Sequence, residues 1–429
     1  MYILYNLLLR VFFFAAAPLF LVQWIFSPEK REAFAQKLGF LPPATLARMT
    51  GSPRIWVHAV SLGEVSAVHP LIRKLREAYP GSCLMLSTGT VSGQNLARER
   101  VAEATGTFFF PLDFRSVVRK VVRRMRPELF ILAETEIWPN FLRIAKEEGA
   151  RTLLVNGRIS ERSFPRYRRT RFFWTAVLDH LDAMSMIRVQ DGERIISMGG
   201  NPVNVYVNGN CKFDQAALSA DPSFEEEMKK LVGIGAEPVF VAGSTHEGEE
   251  EPVIRAFQEI RRRFPEALLI LAPRHVDRSA RVEKLLEAHG LRDRVRRSQL
   301  NGQGRKGAGV VLWDTFGELF KVYSLATIVF CGASLVPKRG QNILEPAAWG
   351  KVALYGPSME DFLDAHHLLA GAGAGIMIRS GEELTDRSLH LLDHPQELLE
   401  RGRAGREALL AQVGATGRNL ELARKLLER

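Results

Sequence analysis

The sequence predicts an α/β protein of two Rossmann-like domains with a membrane-associated helix at its N-terminus. Three observations carry this expectation. Short β-rich apolar runs alternate with helical stretches, the alternation restarts past the middle of the chain, and the first 26 residues are almost wholly apolar.

The apolar start comes first. Only Asn6, Arg10 and Gln23 interrupt residues 1–26, and a helix of that length could cross a hydrocarbon core of about 30 Å. Arg10 would be costly at the bilayer centre but could snorkel from a shallow helix. The rival readings are a cleaved signal peptide and a buried core helix. Against the signal peptide, the basic leading region is poor, and more apolar sequence follows Ala15-Ala16-Ala17. Lys30, Arg31 and Lys37 follow the segment, so the positive-inside rule keeps that end cytoplasmic.

The strand–helix series follows. Residues 54–60 (RIWVHAV), 83–87, 129–133 and 151–155 read as buried strands, with helices over 64–79 and 92–104. Strand candidates resume at 238–242, 267–271, 309–312, 328–331 and 351–355 after a charge-rich stretch, 214–237. The expected domains are therefore an anchor at 1–26, an N-terminal domain at 27–213, a second at 214–400, and a C-terminal helix within 401–429. Ligands of such sheets bind beyond the carboxyl ends of the strands, so the cleft between the domains is the expected active site.

Composition narrows the function. An apolar fraction of 46% and a charged fraction of 25% exclude wholesale disorder. Cys83, Cys211 and Cys331 are scattered, which excludes a disulfide framework and a thiolate zinc site. A formal charge of +10 attracts polyanions without choosing among nucleic acid, anionic lipid and phosphorylated substrates. No helix-turn-helix, zinc-finger spacing or RNA-binding aromatic motif accompanies the charge, so nucleic acid is not an expected partner.

Polar, glycine-marked turns close several strands. His58-Ala59-Val60-Ser61-Leu62-Gly63-Glu64 puts a carboxylate at a helix start, where it could take a proton from an attacking hydroxyl or merely complement the helix dipole. Glu134 and Glu136, in AETEIWPN, lie two residues apart, and strand alternation would send them opposite ways. Asn156-Gly157-Arg158 ends a third strand. Behind it Arg162, Arg166, Arg168, Arg169 and Arg171 interleave with aromatics, which reads as a solvated face or as a surface for phosphorylated lipid. In the second half, Ser244 and Thr245 turn a strand into a helix and suit a phosphate. Arg274 could meet a phosphate or base, and the loop from Gly332 runs into a helix holding Asn342 and Glu345. Glu345 could accept hydrogen bonds from ribose hydroxyls.

Together these segments resemble the Kdo (3-deoxy-D-manno-octulosonic acid) transferases of lipopolysaccharide synthesis, inverting glycosyltransferases of the two-Rossmann GT-B type. The resemblance rests on HAVSLGEV, STGTVSGQ, PLDF, AETEIWPN and VNGRIS, then GNCKFD, AGSTHEGEE, APRH and ASLVPKRGQNILEPAAWGK, in that order over most of the chain. It implies CMP-Kdo as donor, the lipid A precursor lipid IVA as acceptor, and a place on the cytoplasmic face of the inner membrane. It implies Glu64 as general base, with Lys212 also catalytic. Ser244, Thr245, Arg274, Asn342 and Glu345 fall on the donor side. Ser61, Gly63, Glu134, Glu136, Asn156 and Arg158 fall on the acceptor side. A donor with one phosphate has less need of a metal clamp, and no DxD-type motif is present, so neither metal nor cofactor is expected. The chain departs from the family pattern at Arg339-Gly340-Gln341-Asn342, where Gly-Gly-His-Asn is expected, and at Gly356–Phe362, where a polar residue and Asn-Phe would follow Gly-Pro. The competing readings are a related transferase using a UDP-sugar, and a non-catalytic membrane-tethered protein that binds nucleic acid.

Overall fold

The computed structural model describes residues 2–26, 28–218, 220–300, 302 and 304–428, without the side chains at 16–26, 28, 29, 215 and 218. The chain divides into two compact units, Met1–Gln215 with Val413–Arg429, and Ala216–Gln412.

The first unit is built on an all-parallel sheet of β1 (Arg54–His58), β2 (Cys83–Thr88), β3 (Gly106–Phe109), β4 (Leu129–Ala133), β5 (Arg151–Gly157), β6 (Ala183–Met186) and β7 (Val205–Val207). Their spatial order is β3-β2-β1-β4-β5-β6-β7, so the winding reverses between β1 and β4. Both faces are covered, which is why these strands read as continuous apolar runs. Alternation splits them between two cores. Ile55, Val57, Leu129, Ile131 and Leu153 point to one core, and Trp56, Phe130, Leu132 and Leu154 to the other. Trp56 is fully buried and meets Phe130 and Phe141 edge-on at 5.6 and 5.0 Å. Burying an indole of this size is worth about 4–6 kcal/mol of transfer free energy.

The helix Leu62–Ala78 lays Val65, Val68, Leu71, Ile72 and Leu75 on the first core at helical spacing. The same core is closed by Leu420, Leu422, Ala423 and Leu426 of the last helix, Ala415–Leu427. The single expected helix within 401–429 is in fact two, Pro395–Ala411 and Ala415–Leu427, and Gly414 between them has φ +105°. A left-handed residue ends helical geometry there. Asp214 fixes the break by accepting hydrogen bonds from the amides of Gly414 and Thr416 at 2.8 and 2.6 Å.

The second unit repeats the design with β8 (Val239–Thr245), β9 (Leu268–Pro273), β10 (Arg294–Arg296), β11 (Val310–Leu312), β12 (Ile328–Cys331), β13 (Ala353–Tyr355) and β14 (Gly375–Met377). The order β10-β11-β9-β8-β12-β13-β14 is again parallel throughout and reverses between β8 and β12. Phe240, Ala242, Leu269, Leu271, Ile328 and Phe330 point into its main core.

The apolar start forms the helix Tyr2–Phe26, 25 residues long. One side is committed to protein. Tyr5 donates to Asp113 at 2.8 Å, Asn6 and Asn140 exchange amide hydrogen bonds, and Phe13 meets Phe114 edge-on. Ile3, Leu4, Leu7, Leu8, Val11, Phe12 and Phe14 on the same helix are exposed. Among the described residues, no helix is long and apolar enough to cross a membrane. The sequence leaves open whether this segment crosses or lies in a membrane; in the structure polar pins along Tyr2–Asn6 tie the helix to the domain it precedes.

Candidate functional site

Most of the expected residues stand beyond the carboxyl ends of the strands, several of them at the pair that flanks each reversal point, where open parallel sheets hold ligands. In the first unit the chain leaves β1 through Ser61, which caps the helix Leu62–Ala78 by accepting from the amide of Glu64. The Glu64 carboxylate reaches back to accept from the Val60 amide at 2.8 Å and from the Ser61 hydroxyl at 2.9 Å. This is a capping-box arrangement, so the bland role weighed for Glu64 is real. The side chain is nonetheless nearly buried, and burial raises its pKa, the charge of Glu134 adding to the effect. Gly63, one residue before it, is exposed.

Glu134 and Glu136 leave β4 and are both half-buried. Glu136 is pushed up to about 7, first by burial and then by repulsion from Glu64 and Glu134. The three carboxylates thus lie close enough to feel one another, although sequence alternation alone does not make Glu134 and Glu136 a pair. Lys212 answers Glu134 at 3.0 Å. Asn156, at the end of β5, accepts from the Cys211 amide at 3.1 Å, and its buried Nδ2 has no partner among the described residues. The Arg158 carbonyl accepts from the Thr135 hydroxyl, tying the β4 and β5 turns together. Asn156 and Glu134 both have positive φ, 52° and 55°. Backbone held in that region costs energy and concentrates at functional sites.

In the second unit Ser244 ends β8 with φ +56°, and Thr245 is fully buried with its hydroxyl unpartnered among the described residues. Arg274 follows β9 and is exposed, and its amide donates to the Thr245 carbonyl. Glu345 opens the helix Leu344–Ala348 and accepts from the Asn342 amide group at 3.2 Å. Burial lifts its pKa to about 7, against the pull of Asn342 and Arg274.

Three features escape a residue-by-residue reading of the sequence. Glu249 is fully buried, and its carboxylate accepts from the amides of His246, Ala333, Ser334 and Leu335 at 2.7–2.9 Å. It clamps the β8 and β12 turns together where Gly332 passes so close that an added Cβ would lie 2.5 Å from the Ser244 carbonyl oxygen. His246 and His275 meet edge-on at 5.5 Å, and burial, His275, Lys338 and Arg278 depress the His246 pKa. That depression marks a cation-rich turn suited to an anion. Finally, the two stretches that depart from the family pattern contact each other. Arg339 grips Asp361 through Nε and Nη2 at 2.9 and 2.7 Å, so its charge is engaged within the protein. All of these residues stand inside motifs already singled out, but only the fold pairs them.

Two parallel seven-stranded sheets, each with charged turns at its reversal point, define an α/β protein of the GT-B-like, two-Rossmann class. Comparison with known proteins sharpens this. The family model described as 3-deoxy-D-manno-octulosonic-acid transferase (kdotransferase) matches residues 32–215. The 3-deoxy-D-manno-octulosonic acid transferase of Haemophilus influenzae is 30% identical over 413 residues, covering 94% of this chain and 93% of that protein. The one from Bordetella pertussis is 32% identical over 411 residues, covering 93% and 91%. The chain belongs to the Kdo transferase family and is a glycosyltransferase that moves Kdo. Among solved structures, a glycosyltransferase from Rickettsia africae matches with a TM-score of 0.56 at 12% identity, covering 88% of this chain and 100% of that one. A UDP-GlcNAc 2-epimerase from Neisseria meningitidis matches with a TM-score of 0.58 at 12% identity, covering 87% and 100%. At that identity the likeness concerns the fold alone.

Proposed function

We propose that this enzyme transfers Kdo from CMP-Kdo to a hydroxyl of the lipid A precursor lipid IVA, with Glu64 as the general base. The observation that carries the reading is the carboxylate cluster of Glu64, Glu134 and Glu136 at the β1 and β4 turns, with Lys212 bound to one edge. Burial and like-charge repulsion raise the proton affinity of Glu64 and push Glu136 up to about 7, and a base works best when its pKa approaches the working pH. The hydrogen bonds from Val60 and Ser61 fix the Glu64 carboxylate and leave it lone pairs for an incoming hydroxyl. Glu64 takes the hydroxyl proton as the acceptor oxygen bonds to the anomeric carbon of Kdo. The bond from that carbon to the phosphate oxygen breaks, and CMP departs with the electron pair.

In the second unit Arg274 and Lys338 provide the positive field that a departing phosphate needs, and His246 and His275 stand beside them as hydrogen-bonding rings. Asn342 and Glu345 are suited to the nucleotide, Glu345 as acceptor for ribose hydroxyls. Glu134 and Lys212 act as a pair, the lysine limiting the charge that Glu64 would otherwise face. The acceptor is a phosphorylated lipid, and the first unit offers a matching surface. Tyr2 and Tyr5 of the first helix, whose other side is apolar and exposed, meet Phe173 of the helix Arg171–Leu178, and the exposed Arg166, Arg168, Arg169 and Arg171 lie on that helix and on Phe164–Arg169 before it. This combination suits a helix lying in the interface of an anionic bilayer, at the cytoplasmic face of the inner membrane.

The test is an assay with lipid IVA and CMP-Kdo generated in situ, products being resolved by mass spectrometry. A gain of Kdo mass establishes donor and acceptor together. No gain with folded, membrane-extracted enzyme rejects this pairing and calls for a donor screen.

A further inference from the structure

Away from the strand ends, His390, His394 and Glu397 meet at the corner between two helices of the second unit. His390 lies in the last turn of Gly381–Asp393, His394 at the break, and Glu397 in the first turn of Pro395–Ala411. One ligating atom from each lies within 4.8 Å of the other two, and among the described residues this is the one such group of histidine, cysteine or acidic side chains. We propose that this corner is a structural site for a divalent transition-metal ion of the zinc class.

The argument rests on which atoms are already held. His394 Nδ1 is 2.7 Å from the His390 carbonyl oxygen, which can only accept, so Nδ1 carries the proton and Nε2 keeps its lone pair. Metal-bound histidines are oriented in the same manner, by a carbonyl on the nitrogen remote from the metal. Arg401 Nε holds Glu397 Oε1 at 2.8 Å, which leaves Oε2 turned to His390 Nε2 at 3.0 Å. The two imidazoles stack with centroids 4.3 Å apart and planes 30° from parallel, so both rings border one small volume. Zinc–nitrogen distances of about 2.0–2.1 Å in a tetrahedron require ligand atoms about 3.4 Å apart. The ligand atoms lie within 4.8 Å of one another, so closing to that spacing requires side-chain rotation, for which the exposure of both histidines leaves room, and water would be the fourth ligand. Two imidazoles and one carboxylate select zinc and its neighbours over magnesium or calcium, which prefer all-oxygen sites. Cys83, Cys211 and Cys331 are buried and offer no competing surface thiolate.

The ion would staple the helix Pro395–Ala411 at its first turn. That helix packs along Leu344–Ala348, where a Cβ added at Gly402 would fall 2.0 Å from the Gly350 carbonyl oxygen. Bound metal therefore stiffens the support beneath the helix that carries Glu345.

The test uses the full-length chain without a histidine tag, dialysed against chelator and then titrated with Zn²⁺. Wild type is expected to bind about one equivalent and, at zinc 100-fold above Kd, to melt about 5–10 °C higher. Co²⁺ in place of Zn²⁺ is expected to show the visible absorption of a tetrahedral nitrogen–oxygen site. His394→Ala and Glu397→Gln, both at solvent-accessible positions, should abolish the binding, the shift and the cobalt spectrum while leaving the metal-free melting curve within 2 °C or so of wild type. Binding of zinc by both variants with wild-type stoichiometry would overturn the proposal, as would a wild-type chain that binds neither ion.

Discussion

Replacing Glu249 with glutamine removes one charge and almost no volume, so it isolates what the buried carboxylate does. Its oxygens accept four backbone amides, two on each. A glutamine oxygen can keep one pair, while the new NH₂ group faces the other two donors and can accept neither. A hydrogen bond to a charged group is worth about 1.5–3 kcal/mol, so two lost bonds cost roughly 3–6 kcal/mol. For a unit of about 200 residues each kcal/mol moves the midpoint by about 2–4 °C, which puts the expected drop at roughly 6–24 °C. Scanning calorimetry of the full chain reads this directly. Nucleotide binding measured well below the new midpoint should weaken as well, because the β12 turn before Asn342 and Glu345 loses its clamp. A variant that melts within about 2 °C of wild type and binds nucleotide normally would refute the reasoning.

Glu64→Gln retains the helix cap's shape and should lower kcat by about 10²–10⁴-fold with nucleotide affinity unchanged; wild-type turnover would dismiss Glu64 as the base. Burial lifts Glu345 to about 7, and its ionised form is the stronger, charge-assisted acceptor for two hydroxyls, so donor affinity should rise from pH 6 to pH 8 and become flat in Glu345→Gln. The stability effect has the opposite sign. A carboxyl raised from 4.5 to about 7 keeps its proton in the folded state, so the stability it contributes is lost as pH rises through that window, as a melting series can show. Leu8→Glu with Phe12→Glu, both on the exposed face of the first helix, should move the protein from sedimenting anionic vesicles into the supernatant. Undiminished sedimentation would shift the anchoring to the arginine-rich helices.

The strands that were legible in the sequence are the buried ones. Residues 54–58, 129–133 and 239–245 announce themselves because each is a short, largely apolar run buried on both faces. The strands Arg294–Arg296 and Val205–Val207 escaped because they are three residues long at sheet edges, one bearing two arginines. Ala183–Met186 is buried, but alanine and methionine give no strand signal. At the site, motifs found the right turns but not the partnerships. Nothing in the spacing of Lys212 and Glu134 announces a contact across 78 positions, or that Glu249 would clamp a loop 84 residues away. Such pairings follow from strand order, which sequence periodicity does not encode.

The return of the chain to its first unit has a consequence for synthesis. Leu420, Leu422, Ala423 and Leu426 complete a core whose other buried members lie before residue 184, so that core is made in two instalments. At about 5–20 residues per second, the roughly 200 intervening residues take about 10–40 s to make. Throughout that interval the first-made half waits with one apolar face uncovered, and it closes only once the helix Ala415–Leu427 has left the ribosome. A ribosome that stalls near residue 412 would thus release a chain whose second half can fold while its first half cannot close.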